Sequence, residues 1–413
     1  MSGGISVATV KAVIVSAAKH VSRLLPDGEK VAVAKRRTDE GETRSRTTVS
    51  HAHSALRATF SPRGEGVRLA VAFVLAGALS ACATLPPPPQ WSITVHGGAG
   101  VIERAQMDPA TDAAYRAALN AAVTAGGKVL ADGGSALDAV ETTIRLMEDD
   151  PLFNAGRGAV FTAEGRNELD AAIMDGATLK AGAVAGVTRT RHPITLARAV
   201  MEKSPHVMLI GAGAEAFARS RNIEEVAPAF FFTERRWQGL ERELRTQGLP
   251  IPPRPAGAPA PDVRLMTAPL DERKFGTVGV VVRDARGNLA AGTSTGGTTA
   301  KRWGRVGDAP VIGAGTYAQN GVCAVSATGT GEYFIRLSVA RSICARMELR
   351  QESGQAAAAQ VIERDLKAIG GDGGVIVMDA RGESVWSFNT PGMYRARLVA
   401  GGTPSVAIYG DER

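Results

Sequence analysis

The sequence predicts an α+β layered fold, on three observations. Residues 110–131 and 135–148 set apolar side chains at helical spacing, split by the breaker Asp132-Gly133-Gly134. Val278–Arg283 and Leu289–Thr295 read as two strands joined by a turn at Asp284–Asn288. The C-terminal third then groups strands and helices in blocks, which favours antiparallel sheets with helices layered on them.

Residues 1–66 are rich in Ser, Thr, Arg and Gly and lack sustained periodicity, as in a disordered extension or sequence upstream of the true start of translation. Arg68 is followed by Leu-Ala-Val-Ala-Phe-Val-Leu-Ala-Gly-Ala-Leu-Ser-Ala-Cys. A basic residue, a short apolar run and small residues at its end make residues 67–82 a secretory signal, too short to favour a membrane span. Its ending, Leu79-Ser80-Ala81-Cys82, resembles a bacterial lipobox, in which Cys82 carries lipid. The alternatives are an apolar helix and a signal cleaved without lipid. Residues 83–90, with Pro86–Pro89, form a stiff tether. The expectation is a periplasmic protein whose membrane contact is the lipid anchor alone. A start near Val67 needs a non-Met initiation codon, because no second Met precedes Met107.

The globular pattern begins at Trp91. Trp91–Val95 alternates as a strand and runs into His96-Gly97-Gly98-Ala99-Gly100. Strands are expected at Ala181–Val187 and Val207–Ile210. Residues 222–276 lose order and contain a Pro/Ala-rich stretch from Pro250, which reads as a flexible linker. Beyond it, strands are expected at Pro310–Ala314, Val322–Ala327, Gly374–Met378, Ser384–Phe388 and Tyr394–Val399. Helices are expected at Glu332–Met347 and Ala356–Ile369.

Charge and metal-ligand types exclude several functions. Residues 1–68 carry 12 Lys+Arg against 6 Asp+Glu, whereas the rest carries 36 against 35. The net charge of +7 therefore lies mostly outside the folded part, which argues against nucleic acid as a partner. Cys82, Cys323 and Cys344 show neither metal-ligand spacing nor a disulfide framework. His96, His192 and His206 are far apart in sequence and have no local ligand partner for zinc.

The chemistry centres on Gly276-Thr277, where the linker meets a strand. Thr opening a strand needs no more than its β-propensity. A second reading is self-processing: the Thr277 hydroxyl attacks the preceding carbonyl, and hydrolysis of the resulting ester frees the Thr277 α-amine. That amine has an ordinary pKa of about 7.7–8.0, so it can take the proton of its own hydroxyl. No histidine is then required.

Around this point the chain resembles the plant-type asparaginase/isoaspartyl peptidase family of N-terminal-nucleophile hydrolases. The resemblance is carried by His96-Gly97-Gly98-Ala99-Gly100, Asn154-Ala155-Gly156-Arg157-Gly158, Glu168-Leu169-Asp170-Ala171, Gly276-Thr277-Val278-Gly279, Gly292-Thr293-Ser294-Thr295-Gly296-Gly297, Gly304-Arg305-Val306-Gly307-Asp308 and Thr328-Gly329-Thr330-Gly331-Glu332. These stand in family order from about residue 91 to the C-terminus.

The resemblance implies a four-layer αββα sandwich. Residues 91–276 become an α subunit and 277–413 a β subunit, and two pairs assemble as an (αβ)2 heterotetramer. It implies Thr277 as nucleophile and new N-terminus after cleavage behind Gly276, Thr295 beside it, and Asn154 positioning it. Thr328 and the Gly329 amide form the oxyanion hole, a device worth a few kcal/mol. Arg305 grips the substrate α-carboxylate, as a guanidinium fork suits. Asp308 binds the α-ammonium, while Gly329 and Gly331 admit close backbone approach. Out of context Arg305 and Asp308 could instead be a surface ion pair. Met147, Glu148, Asp150, Phe153, Ala155 and Arg157 match the family's sodium loop, where mostly carbonyl oxygens hold a structural ion; an acidic helix end is the alternative. No organic cofactor is implied.

The expected substrates are L-asparagine and β-aspartyl dipeptides. A glycosylasparaginase and an uncleaved aspartyl-ligand-binding lipoprotein stay open as alternatives. Trp303, beside the Arg305 motif, leaves side-chain preference open.

Overall fold

The computed structural model describes residues 90–259 and 276–412. The expected extension (1–66), the signal with Cys82, the tether up to Pro89 and linker residues 260–275 lie outside the described residues.

Strand β1 (Ser92–Gly100) takes in the whole His-Gly-Gly-Ala-Gly run, with a bulge between His96 and Gly98. Helix α1 (Pro109–Ala131) starts on an Asp108 cap with Pro at its first turn, and α2 (Ala136–Asp149) on a Ser135–Asp138 capping box. Then come β2 (Leu169–Asp175), β3 (Ala181–Val187), α3 (Pro193–Lys203), β4 (Met208–Ile210), α4 (Gly211–Ser220) and α5 (Glu234–Thr246). The second half holds β5 (Val278–Arg283), β6 (Leu289–Thr295), β7 (Thr316–Gln319), β8 (Cys323–Gly329), α6 (Gly331–Leu337), α7 (Val339–Arg350) and α8 (Gly354–Ala359), which runs on as a π-helical stretch (Gln360–Leu366). Strands β9 (Gly373–Asp379), β10 (Ser384–Phe388), β11 (Gly392–Val399) and β12 (Ser405–Tyr409) close the fold.

Two sheets form. The larger has the order β12-β11-β1-β5-β6-β2-β3-β4 and the smaller β10-β9-β8-β7. All the pairings are antiparallel except β3 with β4. Three apolar clusters fill three interlayer spaces. One joins α1, α2 and α3 to the large sheet, through residues such as Leu119, Val140, Ile144 and Val280. One lies between the sheets, around Val281, Leu289, Ala291, Ala324 and Met378. The third joins α7 and α8 to the small sheet, with Ile343, Val361 and Val377. At about 1.5–3 kcal/mol for each large side chain fully buried, these clusters hold the layers together. The result is the expected αββα sandwich.

Several expectations need correction. The linker assigned to 222–276 contains α5: Thr233 caps it, and Trp237, Leu240 and Leu244 bury one face. Its other positions are Arg-, Glu- and Gln-rich, so the apolar stripe is sparse. Pro310–Ala314 is a series of turns, and the strand falls at Thr316–Gln319. The helix expected over Glu332–Met347 breaks at Ser338, whose φ of 48° is left-handed. Cys323 on β8 and Cys344 on α7 form a buried disulfide, with Cα atoms 5.8 Å apart. A strand and a helix bring them together, and no sequence spacing announces that.

Candidate active site

β5 lies inside the large sheet, paired with β1 on one side and β6 on the other. The register Val278↔Ser294 brings Thr277 beside Thr295, and the Thr277 hydroxyl donates to Thr295 Oγ1 at 2.9 Å. Thr295 Oγ1 also accepts the Gly297 N–H at 3.0 Å. Asn154 ties the neighbourhood together. Its backbone N–H donates to the Gly276 carbonyl at 3.0 Å, and its carbonyl accepts from Gly296 N–H at 3.0 Å. Its side chain donates to Gly297 O at 2.8 Å and accepts from Val160 N–H at 2.9 Å. Gly98, at φ 111°, is required here: a Cβ would lie 2.7 Å from the Gly276 Cα.

The second half of the site comes from the small sheet and its loops. Thr328, the penultimate residue of β8, is buried, and its hydroxyl has no partner among the described residues. Gly331 brings Arg305 and Asp308 together: a Cβ there would stand 2.9 Å from Arg305 Nη2 and 3.0 Å from Asp308 Oδ1. Asp308 is buried, and burial pushes its carboxyl up to about 7 against the pull of Arg305. Its Oδ2 also lacks a partner among the described residues. Arg305 does not pair with Asp308. It forks onto Glu332, with Nε and Nη2 at 2.9 and 3.0 Å from the two carboxylate oxygens. The Arg305 hydrogen bond in turn holds the Glu332 carboxyl below its ordinary value.

Lys301, Asp170 and Arg236 also enter, none of them given a role from the sequence. Lys301 and Asp170 are buried together at 4.0 Å, and Lys301 Nζ donates to Glu168 O at 2.8 Å. Burial pushes the Asp170 carboxyl up, and Lys301 opposes it. Arg236 of α5 is buried and donates to Gly158 O at 2.7 Å. Partners 133 residues apart (Lys301 and Glu168) and 78 apart (Arg236 and Gly158) give no local signal.

The expected sodium loop follows α2. Met147, Glu148, Phe153 and Ala155 are buried, Asp150 is partly buried and Arg157 is exposed. No group of three or more His, Cys, Asp or Glu suited to a metal occurs among the described residues. One oxygen of the Glu148 carboxylate is committed elsewhere: Oε1 accepts from Ser294 Oγ at 2.6 Å and from Ile194 N–H at 3.1 Å, while Oε2 has no hydrogen-bond partner among the described residues, and burial raises its pKa. Backbone carbonyls are the main donors this loop can offer. That set fits a hard monovalent cation better than zinc.

A nucleophile candidate at the head of an inner strand of an αββα sandwich defines the class: an N-terminal-nucleophile hydrolase fold. The family model described as asparaginase matches residues 89–408, and the chain belongs to that family. It is 51% identical over 318 residues to the isoaspartyl peptidase of Salmonella typhimurium, covering 77% of this chain and 98% of the relative. It is 52% identical over 318 residues to the isoaspartyl peptidase of Escherichia coli, covering 77% and 95%. With the plant-type L-asparaginase of Pyrococcus abyssi it shares 42% over 319 residues, covering 75% and 97%. The chain is a hydrolase.

Proposed function

We propose that this hydrolase cuts its own chain between Gly276 and Thr277 and then hydrolyses β-aspartyl dipeptides and L-asparagine. The observation that carries this is the Thr277–Thr295 hydroxyl pair beside a Gly276 carbonyl that already accepts the Asn154 N–H. In the first step Thr277 Oγ bonds to the Gly276 carbonyl carbon. Asn154 N–H supports the developing oxyanion. The Gly276–Thr277 C–N bond breaks, and the hydroxyl proton ends on the departing nitrogen. Water then hydrolyses the ester, leaving a Gly276 carboxylate and a free Thr277 amine.

In turnover the Thr277 amine takes the proton from its own hydroxyl. Arg305 receives the substrate α-carboxylate, exchanging it for Glu332, and Asp308 receives the α-ammonium. Thr328 and the Gly329 N–H meet the oxyanion. Thr277 Oγ bonds to the substrate's side-chain carbonyl carbon, the amide C–N bond breaks, and ammonia or the freed amino acid leaves with the proton. Water cleaves the aspartyl ester on Thr277 and releases aspartate. A sodium ion held by carbonyls of Met147, Glu148, Asp150, Phe153, Ala155 and Arg157 would brace the turn that carries Asn154. We further propose an (αβ)2 heterotetramer and a lipid-anchored periplasmic location. A buried Cys323–Cys344 disulfide supports the location, since such bonds persist in oxidising compartments.

The experiment is denaturing gel analysis of purified protein combined with assays on β-aspartyl dipeptide, asparagine and glycosylated asparagine. Two fragments split at Thr277 and aspartate release from the first two substrates are expected. One unbroken, active band, or turnover of glycosylated asparagine alone, overturns the proposal.

A further inference from the structure

The space between the two sheets changes character along the strands. At one end it is apolar, lined by Val281 of β5, Ala291 of β6, Ala318 of β7 and Ala324 of β8. Side chains on one face of a strand recur every second residue. Two residues on from Val281, Ala291 and Ala324 stand Gly279, Thr293 and Ser326. Two further stand Thr277, Thr295 and Thr328. A polar tier therefore separates the apolar core from the tier of the proposed site.

That tier is continuous. His96 Nε2 on β1 lies 2.9 Å from Ser326 Oγ. Ser326 Oγ lies 2.7 Å from Thr293 Oγ1. Thr316 Oγ1 on β7 donates to Thr293 Oγ1 at 2.6 Å. All four side chains are fully buried. Gly279 makes room for them, since a Cβ there would fall 1.9 Å from Ser326 Oγ and 2.2 Å from His96 Nε2. The column begins beside the nucleophile, because His96 pairs in register with Gly279, two residues along β5 from Thr277. It ends against the ammonium loop: Thr316 Oγ1 reaches Ala309 O and Thr293 Oγ1 reaches Gly315 O, each at 3.2 Å. Gly315 is packed on Asp308, where a Cβ would lie 2.5 Å from the Asp308 carbonyl oxygen. Burial pushes the His96 imidazole down to about 3, so the column is neutral at physiological pH.

Burying four polar side chains in an otherwise apolar layer costs free energy unless they are hydrogen-bonded. Each of the four is tied to the next, with His96 Nδ1 left without a partner among the described residues, and such a linked network fixes one arrangement of the elements that carry it. We propose that His96, Ser326, Thr293 and Thr316 are positioning residues that set the separation between the Thr277 nucleophile and the Asp308 loop. This rests on the amidohydrolase reading above.

The test uses full-length protein with a β-aspartyl dipeptide. Thr316→Val, at the loop end, raises KM about tenfold with kcat within about twofold, the loss expected of about 1.4 kcal/mol in binding alone. Ser326→Ala, at the nucleophile end, lowers kcat about tenfold with a smaller change in KM. Thr316→Ser keeps the hydroxyl and restores wild-type KM. If the valine variant does not fold, Thr316→Ala carries the same test without placing a methyl against two oxygens. Lower melting temperatures with unchanged kinetics, equal effects at both ends, or failure of Thr316→Ser to restore KM overturn the proposal. Wild-type protein that neither splits at Thr277 nor turns over substrate defeats the amidohydrolase reading instead, and the two failures are distinguishable.

Discussion

The two halves of the site differ in how fully their polar groups are satisfied. Around Gly276 and Thr277, donor meets acceptor: Thr277 with Thr295, Thr295 with Gly297, Asn154 with Gly276, Gly296, Gly297 and Val160. Across the site, Thr328 Oγ1 and Asp308 Oδ2 are buried without partners among the described residues, and Arg305 is folded onto Glu332. On the proposed reading the first half serves a reaction within the chain, and the second leaves polar groups for an α-amino acid amide to meet. Buried polar groups are mostly paired, so Thr328 Oγ1 and Asp308 Oδ2, unpaired within one side of the site, support that reading.

The harshest way to break this contrast is Thr277→Ala. It removes the attacking oxygen from both reactions, and gels should show one unbroken chain with turnover down on the order of 10^4-fold or more. Next is Asp308→Asn, which should leave self-cleavage intact and cut kcat/KM by about 100- to 1000-fold, as removing one partner of a buried charge pair does. Only the carboxylate pairs with an ammonium. Wild-type kcat/KM should therefore climb in two steps, at about 7 for Asp308 and at about 7.7–8.0 for the Thr277 amine, and the variant should keep only the second. Stability moves the opposite way. The Asp308 pKa is raised from 3.8 to about 7, so its favourable contribution to folding is full below 3.8 and is lost as pH rises through about 7. Thermal unfolding at pH 8 should find Asp308→Asn more stable than wild type, and equal or lower stability would refute the assignment of Asp308 as an unpaired buried carboxylate.

A gentler test addresses the small sheet as a body. Removing both cysteines of the Cys323–Cys344 bridge, which closes a separation of 21 residues, should cost about 3 kcal/mol in denaturant titration. The smallest effect is expected at Trp303, which is 90% exposed at a φ of 60°. Trp303→Asn relieves left-handed strain and should add about 1 kcal/mol of stability with kcat unchanged. A fall in kcat would extend the recognition half to this loop.

Much of the first half was legible in the sequence because its signals are local. Gly276-Thr277 abuts an alternating strand, and Thr295 closes a hairpin whose register follows from a short turn. The second half was legible only through a motif order shared with a family. Even so, no local pattern signals that Arg305 pairs with Glu332. The polar column was invisible for a related reason. His96 and Ser326 are separated by 230 residues, and a Thr in a strand signals β-propensity before anything else. Helix α5 was hidden by the charges that cover its outer face.

The position of β5 has a mechanical consequence. It is laced to β1, which precedes the bond behind Thr277, and β1 is itself laced to β11, which follows it. Severing that bond yields two polypeptides that share one continuous sheet. Neither can leave without tearing the β1–β5, β1–β11 and β2–β6 ladders, so dilution should not part them. The proposed cut would free an end while the fold keeps it anchored.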